Sequence, residues 1–153
     1  MTQRWRRILP GLWAGLLLCV ALVTAPATFA VLPGAEAGRV VSRIFVQEAW
    51  ISLALAATLL MLERSGAAAD PAFGGQPGIR NGGLLWGTVL CTLLGYFAVQ
   101  SLMPAARAGQ GVFSFGQLHL VSTIFYGLKT VLVLVLAWRA ARPGSRVNRQ
   151  PSS

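Results

Sequence analysis

The chain is expected to be all-α: a polytopic membrane protein built as a four-helix transmembrane bundle. Three observations predict this. Four long apolar runs are separated by short segments carrying Gly, Pro or charge. Only 11% of residues are charged against 55% hydrophobic, with a mean hydropathy of +0.63, whereas a soluble globule is about one-quarter charged. The basic residues also fall mostly on one side once the runs are threaded back and forth across a bilayer.

A spanning helix needs roughly 20 apolar residues. The first is placed at residues 9–32, because no charge separates Arg7 from Glu36 and Pro33-Gly34 then breaks the run. Residues 1–8, with Arg4, Arg6 and Arg7, form a basic cytoplasmic N-terminus. The second span covers residues 44–62, carries Glu48 and closes at Glu63-Arg64. Ser65 to Asn81, rich in Gly, Pro and Ala, reads as a flexible loop. The third span covers residues 83–103 and is stopped by Pro104, and Ala108 to Gly116 is a short connection. The fourth covers residues 117–138 and carries Lys129. Residues 139–153 form a basic, disordered cytoplasmic tail.

Orientation follows from the arginines. With the N-terminus inside, Arg4, Arg6, Arg7, Arg64, Arg80, Arg139, Arg142, Arg146 and Arg149 are cytoplasmic, and only Arg39, Arg43 and Arg107 lie opposite. Both termini are therefore expected in the cytoplasm. Trp5, Trp13, Trp86 and Trp138 lie near the same interface, where indoles prefer to sit. The abundance of Arg over Lys, with much Ala and Gly, fits a GC-rich bacterial genome, so the inner membrane is the expected location. A cleavable signal peptide is the rival reading of the first run, given the small residues at Ala25–Ala30. That run is longer than a signal core and stays apolar past Ala30, so an uncleaved span is expected; cleavage would leave three spans in unchanged orientation.

The net charge of +9 does not indicate nucleic acid. The arginines flank the first and last apolar runs rather than forming a basic stripe interleaved with aromatics. The expected partner is the lipid bilayer, with a homo-oligomer or a larger membrane complex as further possibilities. Cys19 and Cys91 fall inside apolar runs and read as free thiols. Cu(I) binding by them is chemically conceivable, but no C-x-x-C motif accompanies them.

Within lipid, helices associate through close packing of small residues. Gly11, Gly15 and Cys19 recur every fourth residue on the first helix, as do Gly87, Cys91 and Gly95 on the third, and these faces are expected to make the tightest contacts. Segments Gly11–Cys19 and Gly83–Cys91 also share a faint pattern, consistent with a parallel repeat of two helical hairpins.

The informative residues are polar ones at membrane depth. Lys129 lies about 15 Å along its helix from either end at 1.5 Å per residue, too deep to snorkel. An ammonium there costs at least about 2.5 kcal/mol, so it must face the bundle and find a partner. His119, Ser122, Tyr126 and Lys129 are spaced by three, four and three, which places them on one face. Glu48 is the only carboxylate inside a span. Helix counting puts it roughly 10 Å nearer the outer surface than Lys129, so a direct bond would need tilt or a bridging water. Alternatively Glu48 pairs with Arg43 or His119, and Lys129 is held by Tyr126 and backbone carbonyls. Either arrangement is an internal clamp fixing helix register, or a proton, ion or small-solute site opening outward. No hydrolytic triad, phosphate loop or dinucleotide fingerprint is present, so no catalytic residue is assigned. A lone histidine does not make a zinc site, so no metal ligand is assigned either.

The run Leu12-Trp13-Ala14-Gly15, then Pro26 and Phe29, Ala37-Gly38-Arg39-Val40-Val41 and Ile44-Phe45 resembles a bacterial membrane family known as a domain of unknown function (DUF4149-like). That family is similar to eukaryotic transmembrane protein 205. Phe115, Leu118-His119, Ser122 and Lys129 fit the same likeness. The resemblance implies a four-helix membrane protein, and its eukaryotic relatives are linked with secretion and tolerance of platinum drugs. Glu48 departs from the pattern. A weaker likeness to copper-resistance proteins and membrane protoporphyrinogen oxidases implies haem or copper handling, in which His119 supplies one axial ligand. The leading expectation is a non-enzymatic membrane protein with no cofactor, aiding solute or metal tolerance or transport through the polar site. The alternatives are a haem-binding oxidoreductase using His119 and an accessory subunit of a larger complex.

Overall fold

A computed structural model describes residues 2–68 and 77–142. Every element among them is helical: α1 (Thr2–Cys19), a π-helical segment (Val20–Thr24), α2 (Ala25–Val31), α3 (Gly34–Ala68), α4 (Pro77–Thr92), a second π-helical segment (Leu93–Ala98), α5 (Val99–Arg107) and α6 (Phe115–Ala141). They join into four rods long and apolar enough to cross a membrane, Arg4–Val31, Gly34–Ser65, Asn81–Arg107 and Phe115–Ala141. Large apolar side chains such as Leu22, Val31, Met61 and Ile124 point outward, as lipid-facing residues do.

The rods are longer than the apolar runs, and local chemistry explains each difference. Leu32 takes an extended conformation and ends α2. The Pro33 carbonyl then accepts the amides of Glu36 and Ala37, both at 2.9 Å, which starts α3 at once. The second span was expected from residue 44, since Glu36, Arg39 and Arg43 are charged. They are nonetheless helical, because an α3 of about 52 Å at 1.5 Å per residue projects well beyond a 30 Å hydrocarbon core. Glu36 in the first turn also suits the helix dipole.

Pro104 does not stop the third rod as expected. It lacks only its own N–H, and the helix runs one further turn, with the Ala108 amide reaching the Pro104 carbonyl at 3.1 Å. The exit is made instead by Gly109, whose φ of +70° is the left-handed value glycine adopts freely. Gln110 and Gly109 donate back to the Ala105 and Ala106 carbonyls at 3.0 and 3.2 Å, a Schellman cap. Ser114 begins α6 two residues ahead of expectation through a reciprocal capping box with Gln117. α6 continues to Ala141, so residues 139–141 of the expected tail are helical; the rest from Pro143 lies outside the described residues. Of the expected loop, residues 65–68 and 77–81 are helical and 69–76 lie outside the described residues.

Contacts run from α1 to α6, from α6 to α4, from α4 to α3 and from α3 back to α1. The rods thus form a square in which the second and fourth face each other across a diagonal, as do the first and third. Two local features recur between the halves of the chain. The first and third rods each carry a π-helical segment shortly after Cys19 and Cys91. Glu48 and Lys129 each stand fourteen residues after the first residue of their helices, Gly34 and Phe115.

The core at one end is built by Trp13, Ala14 and Leu17 of α1, Ala56 and Leu59 of α3, Leu85 of α4, and Val133 and Leu136 of α6. Trp13 is fully buried, not the interfacial anchor expected. The inward face of the first rod is therefore Pro10, Trp13, Ala14 and Leu17 of α1, continued by Val20 of the π-helical segment. Gly11, Gly15 and Cys19 lie opposite and are exposed, with nothing within 4 Å of where a Cβ on either glycine would stand. The expected tight contact at these three residues is not made, because the larger residues on the other face bury more surface. The third-rod face does pack closely. Cys91 is buried, a Cβ on Gly87 would meet Leu132 at 3.1 Å, and one on Gly95 would stand 2.6 Å from the Phe125 Cβ.

Candidate functional site

The centre of the square is polar. Glu48 and Lys129 are both about 3% exposed. The Lys129 ammonium donates to both carboxylate oxygens of Glu48, each at 2.8 Å. The pair spans the α3–α6 diagonal directly, without the bridging water that helix counting invoked. That count began the second helix at residue 44; the true start at Gly34 moves Glu48 to the same rank in α3 as Lys129 holds in α6.

Each charge has support one turn away on its own helix, at the spacing that puts side chains on one face. Ser52 donates its hydroxyl to Glu48 Oε1, and the indole N–H of Trp13 donates to Ser52 Oγ at 2.9 Å. The Tyr126 ring lies 4.8 Å from the Lys129 nitrogen, a cation–π contact. Its hydroxyl donates to the Leu17 carbonyl at 2.9 Å, just ahead of the first π-helical segment. Phe45 meets the Tyr126 ring edge-on at 5.1 Å. A continuous chain therefore runs from Trp13 through Ser52, Glu48, Lys129 and Tyr126 to Leu17, binding three rods together. Among the described residues no buried side-chain nitrogen or oxygen lacks a hydrogen-bond partner.

Above the pair a cavity of about 960 Å³ opens between the rods. All five residues singled out for the polar site, Glu48, His119, Ser122, Tyr126 and Lys129, border it. They do not all join the network. His119 is exposed and stacked on Phe115 at 5.9 Å between centroids. Ser122 donates to the His119 carbonyl at 2.9 Å, so it serves its own helix. His119 stands about 15 Å up the helix from Lys129 at 1.5 Å per residue. At the rim the Arg107 guanidinium lies over the Phe115 ring at 4.9 Å and would come within 3.8 Å of a side chain on Gly38. Arg39 is the second rim cation.

Neither Trp13 nor the rim arginines were anticipated as parts of the site. An inward indole needs a hydrogen-bond partner, and Ser52, one turn from the intramembrane carboxylate, was the signal that could have found it. Among the described residues no three His, Cys, Asp or Glu side chains gather as a metal site would require.

Four apolar rods enclosing a buried ion pair define a multi-pass α-helical membrane protein. The chain belongs to the DUF4149 family, a domain of unknown function, whose model matches residues 8–111. Glu48, Ser52 and Trp13 fall inside that match, and Lys129 and Tyr126 follow it. No curated protein and no solved structure matches the chain significantly.

Proposed function

We propose that the chain is a bacterial inner-membrane protein, both termini cytoplasmic, that binds a small amphipathic solute in its central cavity and aids tolerance or transport of it. The observation that carries this reading is the open cavity with a charge pair at its floor. Ionisable groups at membrane depth are retained against a cost of several kcal/mol and mark solute or proton paths. The walls offer Phe29, Phe45 and Phe115 to an apolar body, while Glu48 and Lys129 offer a polar end-point. The arginine distribution supports the orientation. The likeness to transmembrane protein 205 supports the tolerance role and belongs to the same proposal.

A second reading has its own observation. Every link of the network from Trp13 to Leu17 is made within the chain itself, which is what a clamp fixing helix register requires. Uptake of a fluorescent amphipathic dye and tolerance of metal salts are to be compared in cells expressing, at matched levels, the wild-type chain or the Glu48→Leu, Lys129→Met double variant, which leaves no orphaned charge. The solute reading expects a wild-type effect that the double variant loses. Equal behaviour of the two chains leaves the clamp.

A further inference from the structure

The far end of the bundle, below the Trp13 core, carries a second concavity of about 360 Å³. Arg6 and Arg7 of α1 and Arg139 and Arg142 at the end of α6 border it. Among the described lining residues Glu63 is the one carboxylate, and Asn81 adds an amide that accepts from Arg139 at 3.5 Å. The floor is apolar: Leu59, Leu85 and Leu136, all buried, come from three different rods. Trp5, Trp86 and Trp138 are exposed on the same end, and indoles collect at the headgroup level of a bilayer.

Two helix ends distant in sequence thus bring Arg6, Arg7 and Arg142, beside an Arg139 that is already engaged, to one apolar-floored hollow with a single acidic side chain among its described lining residues. Like charges so arranged repel unless an anion joins them. Guanidinium groups match the tetrahedral oxygens of a phosphate, often in paired hydrogen bonds. Trp5, Trp86 and Trp138 set the hollow at headgroup depth, where the phosphates at hand are those of anionic lipid. We propose that this hollow is a specific site for the phosphate group of an anionic phospholipid, held by Arg6, Arg7 and Arg142.

Diffuse attraction between a basic face and anionic lipid would make no distinction among arginines at this end. A site does distinguish them. Arg4 and Arg64 are exposed at the same end and do not border the hollow, so they serve as the matched control. The full chain, purified in detergent and titrated with phosphatidylglycerol or phosphatidylcholine, is to be read by native mass spectrometry for retained lipid. The wild type is expected to retain one phosphatidylglycerol in preference to phosphatidylcholine. At roughly 1 kcal/mol per arginine, Arg7→Gln with Arg142→Gln lowers that retention by about tenfold or more, while Arg4→Gln with Arg64→Gln leaves it within about twofold. Arg7→Lys with Arg142→Lys keeps the charge but not the planar fork, and falls between wild type and the glutamine pair even if the latter folds poorly. Equal loss in the hollow and control pairs overturns the site, as does a wild type without preference for phosphatidylglycerol. Displacement of the lipid by an equal concentration of inorganic phosphate overturns the lipid assignment in favour of a soluble phosphate ligand.

Discussion

Lys129→Met isolates one charge with little change in packing, since methionine resembles the lysine stem in length and flexibility. In the native bundle both oxygens of Glu48 meet the ammonium at 2.8 Å, and both residues are about 3% exposed. With Lys129 gone, Glu48 keeps only Ser52 and becomes an uncompensated charge on a nearly buried side chain. Breaking a buried pair in this way costs about 3–5 kcal/mol, or roughly two to three and a half powers of ten in the folding equilibrium. Removing the second charge as well, in Glu48→Leu with Lys129→Met, abolishes the orphan, and such replacements are often neutral or stabilising. Ser52 still accepts from Trp13. The measurement is unfolding in mixed micelles with increasing sodium dodecyl sulfate, followed by helical ellipticity. The double variant is expected within about 1 kcal/mol of wild type, well above Lys129→Met. A Lys129→Met chain as stable as wild type refutes the reasoning, and so does a double variant no better than the single. A stable double variant also separates the two functional readings: lost tolerance or transport assigns the pair to the solute site, and retained activity assigns it to the clamp.

Gly95→Ala places a Cβ 2.6 Å from the Phe125 Cβ, a position that cannot swing aside, and should lower stability by about 1–3 kcal/mol. Gly15→Ala, with open space around it, should leave the melting temperature unchanged or raise it slightly, worth roughly 0.5–1 kcal/mol as helix propensity. Ser52→Ala strips Trp13 of its acceptor and should cost about 1–3 kcal/mol, with a shift in the Trp13 emission as the local readout. Chain purified in mild detergent is expected to be colourless between 350 and 600 nm on the order of a haem spectrum's range; a Soret band lost in His119→Ala would replace the solute reading with haem binding.

The four rods could be read from hydropathy because lipid leaves a chain little other option than helices with apolar exteriors. Lys129 and Tyr126 could be read as an inward pair from their spacing and from the cost of a lone ammonium in hydrocarbon. What escaped had physical causes. Charged Glu36, Arg39 and Arg43 hid the first ten residues of α3, since hydropathy reports where lipid begins and not where hydrogen bonding begins. That error alone displaced Glu48 and concealed its contact with Lys129. The glycine stripe on α1 misled because two faces of one helix compete, and a stripe of small residues loses when Trp13 and Leu17 stand opposite. Trp13 itself was taken for an interfacial ring, although position along the chain says nothing about which way an indole points.

Because Glu48 and Lys129 hold the same rank in their helices, the stretches Gly34–Glu48 and Phe115–Lys129 act as two rulers of equal length. One residue inserted into either ruler would turn its charge by about 100° and advance it by 1.5 Å, sending a carboxylate or an ammonium toward lipid. The bundle should therefore tolerate insertions in the turn at Gln110–Val112 and refuse them within these two segments, where a single added residue does more harm than most substitutions.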